Sequence, residues 1–475
     1  MKKAKIAIVS IGHHIYFDQF EGLREELMQK SEQFKSYLNS TACDVIDIGY
    51  IDCVENAFTA VRKLKKEDTD LLFILLSTYV PSAVCAPFAK YIDVPQVLVG
   101  IQPLEHLDYS HTTTYMQLCN DDICAMPEVA GVYERLGRVI PSCIVASSKQ
   151  NEIIQKQVAE WVAAATAMAG FKYEIIGYLG HTYEGMYDMH TDPTAFTAAF
   201  GSHVKMLEMC ELARLSESVT NEEIKEQIKE ITDTFEICDP SIDPLTDFVK
   251  EEDLVYSARQ SVALKKLVAN NQLAALAYYY KSEPNNPYEQ LAANLIIGNT
   301  LLTSSGIPLS GEADLKTAAA MLIMKNIGGG GSFAEIHPFD TADDVVLIGH
   351  DGPHNIVIAE GKPRLRKLKK YHGKSGSGIG VEFSLKAGPI TMLSINVDRN
   401  GKFRMIAAEG TSIAGEIPQT GNTNTRVSFG CPIGEFLTRW CEAGPTHHLA
   451  LGVGHHMDTL RKFSRISGIE LIEVK

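Results

Sequence analysis

Four side chains in the last third of the sequence have types and spacing that could do chemistry together. They are Glu312 in Gly-Glu-Ala-Asp-Leu-Lys-Thr-Ala, Glu335 in Gly-Ser-Phe-Ala-Glu-Ile, His350 in Leu-Ile-Gly-His and His448 in Gly-Pro-Thr-His-His. Two carboxylates and two imidazoles form an O2N2 donor set. Such a set suits octahedral coordination of Mn(II), Mg(II) or a similar ion and leaves positions open for a chelating substrate. The chemistry implied is metal-assisted work on a polyhydroxy compound. Taken singly, a Glu or His at a strand end is more often a hydrogen-bonded structural residue, and His354, His447, His455 and His456 compete for the same role.

The local sequence says how each would be positioned. Glu312 precedes an apolar helical stretch at residues 315–324, where the positive end of the helix dipole favours a carboxylate. Glu335 follows four successive glycines at 328–331, which let backbone pass close to a ligand. His350 ends the apolar run 345–348 and should emerge at the rim of a sheet, whereas His448 follows Gly444-Pro445 and opens another apolar run. All four read as loop or rim positions.

The rest of the chain reads as an α/β protein. Short β-branched runs at 6–9, 45–48, 71–76, 97–99 and 143–146 alternate with amphipathic stretches such as 17–34 and 82–90, the rhythm of a doubly wound parallel sheet. Ligands in such sheets sit beyond the carboxyl ends of the strands, which points to Gly12-His13-His14 and Ser77-Thr78-Tyr79. No glycine-rich nucleotide fingerprint is present. A second α/β unit carries a strand at 172–177, helices at 221–235 and 257–270 and a buried run at 273–280. An acidic, proline-containing loop at 238–244 separates the two helices. Antiparallel strands follow at 379–384, 390–397 and 402–408, the last two joined by the Asn-Gly turn of residues 398–401. A helix at 458–466 leads to a final strand at 469–474. The expected domains are 1–172, 173–310 and 311–475.

At 475 residues the chain exceeds one core, and its 45% hydrophobic and 22% charged content is that of an ordered globular protein. A net charge of −15 argues against nucleic acid or anionic lipid as a partner. One basic run, Lys362, Arg364, Arg366, Lys367, Lys369 and Lys370, reads first as a solvated loop or subunit-contact face, with an anion site as the alternative. The 10 cysteines are dispersed without a Cys-x-x-Cys pair and fit reduced, mostly buried thiols. The N-terminal apolar run is too short for a signal peptide, and no segment approaches the roughly 18 apolar residues of a membrane span. The expected location is the cytoplasm.

The four motifs, in order, resemble those of the L-arabinose isomerase family. Residues 311–318 look like its Gly-Glu-Gly-Asp-Trp-Lys-Thr-Ala, residues 331–335 like its Thr-Ser-Phe-Met-Glu, Gly349-His350 like its Gly-Ser-His, and His447-His448 like its His pair. Residues 457–463 are similar to its Asn-Asp-Met-Arg-Gln-Phe stretch. The resemblance implies Glu312, Glu335, His350 and His448 as ligands of a divalent metal, most often Mn2+, with Glu312 and Glu335 also moving the proton. It further implies three domains ending in a β-barrel-like one, and a homo-hexamer. The sugar-reading motifs depart from the family: its Gly-Ser-Gln-His-Leu-Tyr appears as residues 11–16 with His13 in place of Gln, its Asn-Gln-Ala/Thr-His-Gly as residues 120–127, and its Met-Leu-Glu as Asp351-Gly352-Pro353. His13, Tyr16, Tyr183, Tyr280, Asp351 and His447 are the candidate substrate-binding residues.

The expected function is a metal-dependent aldose–ketose isomerase acting through an enediol on a sugar other than L-arabinose. The alternatives are an epimerase or retro-aldol lyase on the same metal, and a non-catalytic sugar-binding protein.

Overall fold

Apolar runs buried on both faces make the three central strands of the first sheet, between two partly exposed edge strands. β1 (Lys5–Ile11), β2 (Asp44–Ile51), β3 (Leu71–Leu76), β4 (Gln96–Gln102) and β5 (Ser142–Ser147) pair in the all-parallel order β2-β1-β3-β4-β5. β3, Leu-Leu-Phe-Ile-Leu-Leu, has no exposed residue, as expected of a strand covered by helices on both faces. This computed structural model describes residues 3–238, 246–283, 286–369, 378–418, 420 and 422–475. The chain forms two compact units, Met1–Ala169 and Gly170–Lys475.

In the first unit the strand order reverses between β1 and β3, where an open parallel sheet has its crevice. Gly12-His13-His14 follows β1 and Ser77-Thr78-Tyr79 follows β3. A side chain at Gly12 would come within 2.1 Å of the Tyr50 hydroxyl, so only glycine fits that turn. The amphipathic stretch expected at 17–34 is two helices, His14–Gln19 and Leu23–Asn39, broken where Gly22 takes φ +83°.

The second unit holds three sheets. β6 (Ile175–Gly180), β7 (His203–Leu207), β10 (Leu273–Tyr279) and β11 (Leu309–Ser310) form a parallel sheet in the order β11-β10-β6-β7. β8 (Glu236–Ile237), β9 (Thr246–Asp247), β14 (Arg364–Leu368) and β15 (Gly378–Glu382) form a small mixed sheet. β12 (Ser332–Asp340), β13 (Val345–His350), β16 (Gly388–Val397), β17 (Phe403–Ile413), β18 (Thr423–Ser428), β19 (His448–Val453) and β20 (Glu470–Val474) run in the order β16-β19-β12-β13-β18-β17-β20. β16 also pairs with β17 along its whole length, so the first six strands close on themselves and only β20 lies outside the ring. Closure of an antiparallel sheet gives the barrel-like region. One apolar cluster runs from Leu276 of the parallel sheet to Met392 and Leu449 of the barrel.

The basic run differs from its reading as a solvated loop. Arg364, Arg366 and Lys367 lie in β14; Arg366 is buried and, with Arg364, pairs with the buried Glu382, while Lys367 Nζ is 2.8 Å from Asp253. A buried carboxylate needs such partners. Lys370 of that run and residues 239–244 of the acidic loop lie outside the described residues. Among the described residues no helix is long and apolar enough to cross a membrane.

Candidate metal centre

Three neighbouring barrel strands and one strained turn bring the four side chains together. β12 pairs with β19 on one side and β13 on the other, and Glu335 stands directly opposite His448 in one register and Gly349 in the other. Directly opposed residues of an antiparallel pair share a face, so Glu335 and His448 meet. Phe333, two residues before Glu335 on the same face, holds its ring centroid 4.5 Å from His350 and 4.4 Å from His448, wedged against both imidazoles. Glu335 therefore lies inside a strand, not at the loop or rim its glycine-rich approach suggested.

Glu312 comes from the turn between β11 and the helix Leu315–Asn326. Glu312 and Ala313 both take φ 56°, a left-handed conformation that costs a non-glycine residue roughly 1–3 kcal/mol. The turn is held from both ends. The Ala313 amide donates to the Tyr278 carbonyl at 2.9 Å, and Asp314 caps the following helix by accepting from the amides of Lys316 and Thr317 at 3.1 Å. The strain is thus imposed by the neighbours and aims the Glu312 carboxylate at His448.

Two triads that share His448 have donor spacings an ion could bridge. Glu312 Oε2 lies 3.6 Å from His448 Nε2, and Glu335 Oε1 3.9 Å from His350 Nε2. Donor atoms of Glu335, His350 and His448 lie within 4.8 Å of one another, as do those of Glu312, His447 and His448. Ligands about 2.0–2.3 Å from a common ion stand roughly 3–4.5 Å apart. His448 is fully buried, and its Nε2 has no hydrogen-bond partner among the described residues. A buried imidazole nitrogen left unpaired is the atom a metal would satisfy.

The surrounding charges prepare these groups. Burial pushes the His448 pKa down, outweighing the carboxylate of Asp314 at 3.1 Å from its Nδ1, so the ring is neutral and ligand-ready. Burial alone would raise the Glu335 carboxyl, but a hydrogen bond from His337 at 3.1 Å and the nearby His350 and His448 hold it at about 2. His337 in turn is anchored on Asn424 at 2.5 Å. Asp314, also buried, is kept below the usual carboxylate range by Lys316, His448 and Thr317.

The candidate substrate residues fall in different places. Asp351 and Tyr280 line a pocket that Glu312 and His350 also border. Asp351 Oδ1 is 3.2 Å from His350 Nδ1. The His447 ring lies tilted against that of His448, centroids 3.9 Å apart, and Asp188 Oδ2 accepts from its backbone amide at 2.9 Å and lies 2.7 Å from its Nδ1. Tyr183 donates its backbone amide to the Glu312 carbonyl at 3.4 Å. His13 and Tyr16 belong to the first unit, edge to face at 4.8 Å beside the strand-order reversal. Sequence reasoning missed Asp314, His337 and Asp188. Asp314 sits in a quoted motif as an Asp-x-x-Thr helix start, and His337 is two residues from Glu335 on one strand face, so both carried a signal. Asp188 is 259 residues from His447 and carried none.

The sequence matches known proteins in the same region. Residues 189–330 match the L-arabinose isomerase central domain and residues 330–470 the L-arabinose isomerase C-terminal domain, together more than half of the chain. An L-arabinose isomerase of Saccharophagus degradans is 24% identical over 70% of this chain and 66% of its own length. L-arabinose isomerase 1 of Bacillus licheniformis is 22% identical over 88% of this chain and 84% of its own. The L-arabinose isomerase of Cellvibrio japonicus is 21% identical over 99% and 93%. The matched span contains the whole Glu/His cluster, and the chain belongs to the L-arabinose isomerase family as a divergent member.

Proposed function

We propose that the chain is a metal-dependent aldose–ketose isomerase. The observation that carries this reading is the clustering of Glu312, Glu335 and His350 around the buried His448, whose Nε2 is unpartnered among the described residues, at the edge of a pocket. Glu312, Glu335, His350 and His448 would hold a divalent ion, Mn2+ fitting the donor set, and the ion would polarise the sugar carbonyl and the adjacent hydroxyl.

The protein's own groups then have defined tasks. Glu335 is held ionised at neutral pH, the form that can take up a proton. Glu312, anchored in its strained turn beside His448, offers a second carboxylate, so that one of the pair passes the proton from C2 to C1 through an enediol while the other carries the hydroxyl proton from O2 to O1. Asp351, Tyr280, Tyr183 and His447 bind the sugar. The departures at His13, at residues 120–127 and at Asp351 support a sugar other than L-arabinose, because a site loses discrimination steeply when its polar partners are replaced. Family membership supports a hexamer, and the dispersed free cysteines, of which only Cys85 and Cys119 are buried rather than most as expected, support a cytoplasmic location.

Glu312→Gln and Glu335→Gln each keep an oxygen donor and remove the base. Turnover should fall roughly 100-fold or more in each while sugar binding persists. Unchanged turnover in both would remove the proton-transfer role.

A further inference from the structure

The cavity wall carries a polar atom that the reading above leaves unused. Tyr279 ends β10 and lines the cavity together with Glu312 and His350. It is 7% exposed, and its hydroxyl is buried without a hydrogen-bond partner among the described residues. The ring is fixed: it stands edge to face with His181 and with Tyr183, both at 5.4 Å. The Tyr279 carbonyl also accepts the His181 amide at 3.1 Å, so the loop after β6 locks the residue from the backbone as well.

Such an atom asks for a ligand. An unpaired buried hydroxyl is destabilising, whereas phenylalanine would fill the same space without that cost. Burial, and then the charge of Glu312, push the phenol pKa up, so the group stays an O–H donor at working pH. We propose that Tyr279 is a specificity-determining residue whose hydroxyl donates a hydrogen bond to an oxygen of the bound sugar within this cavity. The inference takes the nature of the ligand, a polyhydroxylated chain, from the isomerase reading, but it does not require turnover.

Tyr279→Phe in the Mn(II)-loaded protein tests it through three readouts: melting temperature, kcat/KM across aldoses and their single-deoxy analogues, and calorimetric binding of ribitol, xylitol and arabitol. The melting temperature should be unchanged or higher. For the best aldose kcat/KM should fall roughly 10- to 100-fold, and one deoxy analogue that the native protein rejects by a similar factor should be handled equally by both proteins. A fall in melting temperature, an equal loss on every sugar, or no loss at all overturns the proposal. If the native protein converts no aldose, the isomerase reading fails on its own. Tyr279 then stands if a pentitol binds at least 10-fold more weakly to the variant, and falls if none does.

Discussion

Asp314 serves two structures with one carboxylate. Its Oδ1 caps the helix Leu315–Asn326, while its Oδ2 accepts from the Thr317 hydroxyl at 2.7 Å and holds His448 Nδ1 at 3.1 Å. Outer partners of this kind fix the tautomer and orientation of a metal-binding imidazole, and losing them typically weakens metal affinity 10- to 100-fold. Asp314→Asn should therefore lose about that factor in Mn(II) affinity by calorimetry while keeping most of the cap. Asp314→Ala should lose the affinity and roughly 1 kcal/mol of stability as well. Wild-type affinity in Asp314→Asn would mean that Asp314 is only a helix cap.

At the scale of elements, the barrel register is what assembles the site, and Gly349 sets part of it. A Cβ at Gly349 would lie 1.7 Å from the Thr423 carbonyl oxygen, inside the pairing of β13 with β18, and backbone cannot yield there without moving His350. Gly349→Ala should unfold at least 2 kcal/mol more easily in urea and bind Mn(II) poorly; native stability would show that the two strands can separate freely. Much of this scale was readable beforehand. β3 lies at 71–76 as expected from its apolar run, and the turn closed by Gly401 joins β16 to β17. Other features were not readable. Two helices replaced one because Gly22 stops the first turn, and Glu335 looked like a loop residue because its glycines preceded it while its strand partners lie in distant sequence. Strand pairing is long-range, so the motifs named the residues but not the face they share.

For the whole molecule, the site sits against a buried polar layer that should give stability a pH dependence. His354 is fully buried, and burial followed by the charge of His350 lowers its pKa from 6.5 to about 3. Below pH 6.5 the unfolded chain takes up this proton and the folded chain does not, so stability falls as pH drops from 6.5 to about 3. The slope contributed is up to roughly 1.4 kcal/mol per pH unit. His354→Leu should flatten the urea midpoint over that window, and an unaltered slope would show that His354 is not the group responsible. The measurement that reaches the central claim most directly is ketose formation by metal-stripped protein, followed by NMR across a panel of aldoses before and after Mn(II) is restored. Ketose should appear with at least one aldose only after the metal returns, and should disappear again in His448→Ala. Equal ketose formation with and without metal, or none from any aldose in the metal-restored protein, would contradict a metal-dependent isomerase.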